Sequence, residues 1–146
     1  MKAVLDANII VSAVIKPEGK PAQILGQRDR FELLISDHIL QEAQRVLHRK
    51  HIQEKYHPSE DKIEGILNVL REFGTLITVE HTENLIPKDP PDNIVLACAA
   101  EGSADYLVSG NQHLLDLKQH RGVKIVTTTH FLEIINQKSK IINEAQ

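Results

Sequence analysis

Aromatic side chains are scarce in this chain, whose 146 residues include two tyrosines, three phenylalanines and no tryptophan. The core must therefore rest on Ile, Leu, Val and Ala. Cysteine is rarer still. The one thiol, Cys98, excludes an internal disulfide, and its place in the apolar run Ile94-Val95-Leu96-Ala97-Cys98-Ala99-Ala100 reads as a buried structural group suited to a reducing cytoplasm. No apolar stretch approaches the ~20 residues of a membrane-spanning helix. Met1-Lys2 leads straight into an expected strand, without the basic-then-apolar opening of a secretory signal. Positive charge is not in excess either. The formal net charge of −3 excludes a protein that holds nucleic acid by bulk basicity. It does not exclude a nucleic-acid enzyme, because clustered carboxylates lower the formal charge and a bound cation offsets them locally. Repeats, low-complexity tracts and Gly/Ser linkers are all missing.

What is present is alternation. Short apolar strands are expected at Ala3–Leu5, Leu33–Ile35, Leu76–Val79, Tyr106–Val108 and Lys124–Val126. Between them the spacing predicts helices at Ala7–Ile15, from Pro21 to about Asp29, from a Ser36 or Asp37 cap to about Lys50, around Ile52–Tyr56, and from Ser59 onward. Further helices follow at Asp92–Glu101, Gln112–Leu117 and Thr128–Asn136. This pattern predicts a single α/β domain over residues 1–137, a three-layer α/β/α sandwich on a mostly parallel sheet of about five strands, with 138–146 as a frayed tail. Right-handed crossovers place every strand-to-helix junction at the carboxyl edge of such a sheet, where ligands bind.

Four polar residues fall at those junctions. Asp6 ends the first apolar run, Glu42 lies early in the helix after the second, Asp92 opens the helix after Asp89-Pro90-Pro91, and Asn111 follows Ser109-Gly110. Carboxylates brought within a few ångströms repel one another unless one takes a proton or a cation joins them. Mg²⁺ or Mn²⁺ suits an all-oxygen set, and a site of that kind can polarise a phosphodiester and activate water for in-line attack. Asp6, Glu42 and Asp92 are thus the candidate catalytic and metal-binding acids. Asn8, Ser12, Asn93 and Asn111 are candidate supporting or substrate-binding groups.

Each residue also has a plainer reading. Asp6 and Asp92 could cap their helices, and Asp89 competes with Asp92 as the functional acid. Glu42 could be a border residue of an apolar stripe, Asn111 a turn residue, and Ser12 a hydroxyl bonded back to its own helix. The basic stretch from Arg45 to His57 reads as a solvated helix face or as a rim that guides RNA, with Lys16 and Lys20 opposite. His113 reads as a surface residue. The case rests on joint placement.

Val4-Leu5-Asp6-Ala7-Asn8, the Glu42 helix, the Asp89-to-Asn93 segment and Ala104-Asp105-Tyr106-Leu107-Val108-Ser109-Gly110 occur together in an order that resembles the PIN domain family. The likeness is strongest to its VapC-like subgroup, the toxin components of toxin–antitoxin systems. It implies Mg²⁺- or Mn²⁺-dependent ribonuclease activity with Asp6, Glu42 and Asp92 as the core metal-binding acids. It also implies an RNA substrate, a homodimer, and inhibition by a small antitoxin protein. Many members carry an acid where this chain has Asn111, so weaker cation affinity, or one ordered cation instead of two, is expected. Three other readings compete. A phosphatase of the haloacid-dehalogenase type wants a second Asp where Asn8 stands, a phosphorylated receiver wants an acidic pair upstream of its aspartate, and a degenerate domain would bind RNA or a partner without cleaving it.

Overall fold

In the computed structural model, residues 1–80, 82 and 90–145 are described, with side chains over 1–80, 82 and 92–137. The elements run β1 (Lys2–Leu5), α1 (Ala7–Ile15), α2 (Lys20–Gly26), a 3-10 turn (Arg28–Arg30), β2 (Glu32–Ile35), α3 (Asp37–Leu47), α4 (Lys50–Tyr56), α5 (Glu60–Phe73), β3 (Thr75–Leu76), α6 (Pro90–Glu101), β4 (Tyr106–Val108), α7 (Gln112–Leu117), β5 (Gln119–His120), β6 (Val123–Val126) and α8 (Thr128–Ala145). The strands form one sheet in the order β3-β2-β1-β4-β6-β5. All pairings are parallel except β5 with β6. The expected α/β architecture with a mostly parallel sheet is therefore found, with a sixth strand.

The central strands carry almost no polar side chain. Ala3, Val4, Leu107 and Val108 are fully buried, as sheet positions covered on both faces should be. Above and below them pack the apolar stripes of the helices: Ile10 and Val14 of α1, Ile39, Leu40, Ala43 and Leu47 of α3, Ile63, Leu67 and Leu70 of α5. Phe131 of α8 anchors the opposite side, edge-on to Phe31 at 5.1 Å and to Tyr106 at 5.9 Å. Three of the few rings thus cluster in one place, where their area counts most. Cys98 is fully buried, and burial pushes its thiol up to about 11, as expected for an inert structural group.

Several element ends differ from the sequence reading. The helix expected to reach Asp29 stops at Gly26 and gives way to the 3-10 turn. The helix expected to reach Lys50 ends at Leu47, and α4 starts at Lys50. The strand expected over Leu76–Val79 is the two-residue edge strand β3, although Ile77 N–H still reaches the Ile35 carbonyl at 2.7 Å. The last helix continues past Asn136 to Ala145. None of the described helices is long and apolar enough to cross a membrane.

β1 lies between β2 and β4, and the chain winds outward from it in both directions. The crevice beyond the carboxyl ends of β1 and β4 is therefore the topological switch point, the usual ligand position in open α/β sheets. A receiver domain has the order 2-1-3-4-5 instead, so that alternative is set aside by topology.

Candidate functional site

Five of the sequence-predicted residues meet at that crevice. A cleft of about 290 Å³ is lined by Asp6, Ala7, Asn8, Glu42, Arg45, Val46, Arg49, Asp92 and Asn111. Asp6, Glu42 and Asp92 come together with Asn8 and Asn111 from four separate stretches of sequence. Ser12 and Asn93 do not line it. Ser12 is half-buried further along α1, and Asn93 is buried in the first turns of α6. Asp89 lies outside the described residues.

Asp6 is held from three sides. Its backbone N–H donates to the Val108 carbonyl at 3.1 Å, continuing the β1–β4 pairing by one residue. One side-chain oxygen caps α1 by accepting from Ile9 N–H at 2.9 Å. The other accepts from the Ser109 hydroxyl. The capping reading therefore holds for this residue, and its side chain also lines the cleft. The carboxyl is 3% exposed, and burial raises its pKa above the ordinary carboxylate range, opposed by the Ser109 and backbone hydrogen bonds.

Ser109 is the site residue that sequence reading did not single out. It is fully buried, donates to Asp6, and accepts from Asn111 N–H at 3.0 Å. The signal was present in the register. Leu5 pairs with Val108, so the next step along both strands sets Asp6 beside Ser109. Only knowledge that β1 and β4 are neighbours makes that visible.

Asn111 performs two tasks. Its side-chain oxygen caps α7 by accepting from His113 N–H at 2.8 Å, and its amide donates to Asp92 Oδ2 at 2.8 Å. With its oxygen committed to the cap, Asn111 acts on Asp92 as a donor and orients it. Asp92 itself is 9% exposed on the first turn of α6, where the helix N-terminus favours negative charge. His113 is exposed.

Glu42 projects from α3, whose start is set by Ser36 accepting from Ile39 N–H at 3.2 Å. Its carboxylate is turned onto Arg45, one turn away, in a two-pronged pair at 2.5 and 3.1 Å. That hydrogen bond raises the Arg45 pKa further. Among the described residues, no three His, Cys, Asp or Glu side chains stand close enough to grip an ion together. Glu42 is engaged by the Arg45 guanidinium instead. The donor chemistry nonetheless fits a hard divalent cation. The lining offers carboxylate and amide oxygens with no thiol or imidazole. Asp6 is a buried carboxylate with no described cationic partner.

From the basic stretch, Arg45 and Arg49 reach the cleft, while His48 turns away to Glu60 at 2.6 Å. Lys16 and Lys20 are not in the lining, and Lys20 Nζ donates to Thr129 instead.

A family model described as "PIN domain" matches residues 2–113, a span that includes every residue of the cleft. No curated protein matches the chain in sequence. Among solved structures, the fold is similar to a chain in "Crystal structure of VapBC2 from Rickettsia felis bound to a DNA fragment from their promoter". The TM-score is 0.60 at 16% identity, covering 87% of this chain and 98% of that one.

Proposed function

Since this chain belongs to the PIN domain family, we propose that it is a metal-dependent endoribonuclease that hydrolyses RNA phosphodiester bonds, acting as a VapC-like toxin. The observation that carries the reading is the meeting of Asp6, Glu42 and Asp92 in one polar cleft at the switch point of the sheet. Asp6, Glu42 and Asp92 would hold Mg²⁺ or Mn²⁺. When bound there, the cation brings positive charge to a scissile phosphate and makes a water molecule more acidic. The chain's own residues supply the rest. Ser109 and Ile9 N–H fix both oxygens of Asp6, and Asn111 fixes one oxygen of Asp92. Exposed Asn8 stands at the lip and can donate to a phosphate oxygen. Arg49 adds positive charge for the RNA backbone.

The similar solved structure is of a VapBC complex. That supports a small antitoxin as partner, and we extend the proposal to a homodimer working in the cytoplasm.

The test is RNA cleavage by purified protein with Mn²⁺, compared with Asp6→Asn and Asp92→Asn prepared in parallel. Losses of about 10²-fold or more are expected in both, the scale of removing one organising charge from a preorganised site. Cleavage that survives both substitutions would sink the mechanism. A wild type that binds RNA without cleaving it would point to the degenerate binding domain, a reading motivated by Asn111 and the net charge of −3 and favoured further by the engagement of Glu42 with Arg45.

A further inference from the structure

The Glu42–Arg45 pair sits inside the cleft, not beside it, and both partners line it. Its geometry is two-pronged, with Arg45 Nη2 and Nε each on one Glu42 oxygen. Yet the pair is open to solvent, with the Arg45 side chain 59% exposed and that of Glu42 29% exposed. An ion pair so exposed is weakly held and easily exchanged. Glu42 therefore faces two competing cations: the guanidinium on its own helix and the divalent ion of the proposed site. The charge count of the lining points the same way. Asp6, Glu42 and Asp92 face Arg45 and Arg49, so with all five ionised the cleft carries one excess negative charge, and one divalent cation turns that into one excess positive.

We infer that Arg45 is a substrate-phosphate residue held in reserve by Glu42, so that a divalent cation and a single-stranded nucleic-acid backbone bind this cleft cooperatively. The inference rests on the metal-site reading above and deepens it. Without the cation, Glu42 occupies both prongs of Arg45 and the cleft repels phosphate. With the cation, Glu42 turns to it, and the guanidinium fork is left facing a groove that now attracts anions. A phosphate accepts the same two parallel hydrogen bonds that the carboxylate gave up. Coupling of this kind is reciprocal, so the strand must tighten cation binding by the same factor by which the cation tightens strand binding. Arg49 provides the contrast, because it lines the cleft but pairs with no carboxylate among the described residues.

The experiment measures Mn²⁺ binding by calorimetry, and binding of a labelled single-stranded oligodeoxynucleotide by anisotropy with and without Mn²⁺, on wild type, Arg45→Gln and Arg49→Gln. In wild type, Mn²⁺ tightens strand binding. Arg45→Gln binds Mn²⁺ about two- to fivefold more tightly in the absence of strand, the range expected for removing an exposed competitor, and its coupling falls by a similar factor. Arg49→Gln weakens strand binding equally with and without Mn²⁺ and keeps the wild-type coupling. Wild-type Mn²⁺ affinity and coupling in Arg45→Gln would overturn the inference while leaving the metal site intact. Equal effects of the two substitutions would overturn it too, reducing it to bulk charge. A folded wild type that binds no Mn²⁺ would overturn the metal-site reading and this one with it.

Discussion

Asp6 shows how one residue can be costly for the fold and still be central to the proposed site. Its two oxygens accept from Ile9 N–H and the Ser109 hydroxyl, but its burial keeps the carboxyl pKa raised. A carboxyl with a raised folded-state pKa binds its proton more tightly in the native chain than in the unfolded one. Its favourable contribution is therefore complete below the unfolded pKa of about 3.9 and is lost as pH rises through the folded value. At neutral pH without a cation, the ionised form is a burden. Asparagine caps a helix about as well as aspartate and carries no charge. Asp6→Asn is accordingly expected to raise the thermal midpoint in chelator at pH 7, with the gain shrinking as pH falls toward 4. Melting curves across that range check it, and a variant less stable than wild type at pH 7 would show that the carboxylate is stabilised by something the geometry does not reveal. Residue identities announced the acids and the amide in the sequence. They did not announce which would pair, because Asp6 with Ser109 and Asn111 with Asp92 are contacts between distant segments.

Elements were legible where their apolar pattern was long or capped, and illegible where backbone geometry decided. Ser36 and Ser59 both cap the helices expected after them, and α1 runs from Ala7 to Ile15 as read. β5 was missed because it is two polar residues, Gln119 and His120, paired with β6 only through the tight turn at Arg121 and Gly122, both at positive φ. Such a turn matches the twist of a two-residue hairpin, but an Arg-Gly pair is a weak sign of it. β3 fell short because it is an exposed edge, with Leu76 56% exposed. What places β3 is the end of α5. A Cβ on Gly74 would stand 2.6 Å from the Leu70 carbonyl and 2.9 Å from the Ile35 side chain, so no larger residue fits without moving the helix end or β2. Gly65, mid-helix and exposed in the same element, would meet nothing within 4 Å. Opposite outcomes are expected in urea unfolding. Gly74→Ala should cost about 1–3 kcal/mol by overpacking, and Gly65→Ala should gain about 0.5–1 kcal/mol in helix propensity. Equal and small effects would mean that the α5–β3 junction relaxes freely.

For the molecule as a whole, the parallel sheet does what no local motif can. It brings positions 6, 42, 92 and 111, far apart in sequence, to one cleft. Most of that convergence was readable from topology, since Asp6 and Asn111 follow strands and Asp92 opens a helix at the same edge, whereas Glu42, expected early in its helix, stands midway along α3. The Glu42–Arg45 pair is an i,i+3 contact that helix geometry makes available, but that it lies inside the cleft was not readable, because it depends on which charges share the finished cleft. The same architecture dictates how a cation should act on stability. The unfolded chain cannot gather these acids, so a cation that they hold binds only the native state and stabilises it by mass action. At a free Mn²⁺ concentration of about 100 times the dissociation constant, the gain is ~2.7 kcal/mol. In a chain of this size, each kcal/mol corresponds to a shift of roughly 2–4 °C, so the melting midpoint should rise by about 5–10 °C between chelator and saturating Mn²⁺. Asp92→Asn should lose most of that rise while remaining folded, because the Asn111 contact tolerates an amide oxygen in place of the carboxylate. A wild type whose midpoint ignores Mn²⁺, or a mutant that gains as much as wild type, would mean that the cleft is not where the cation binds.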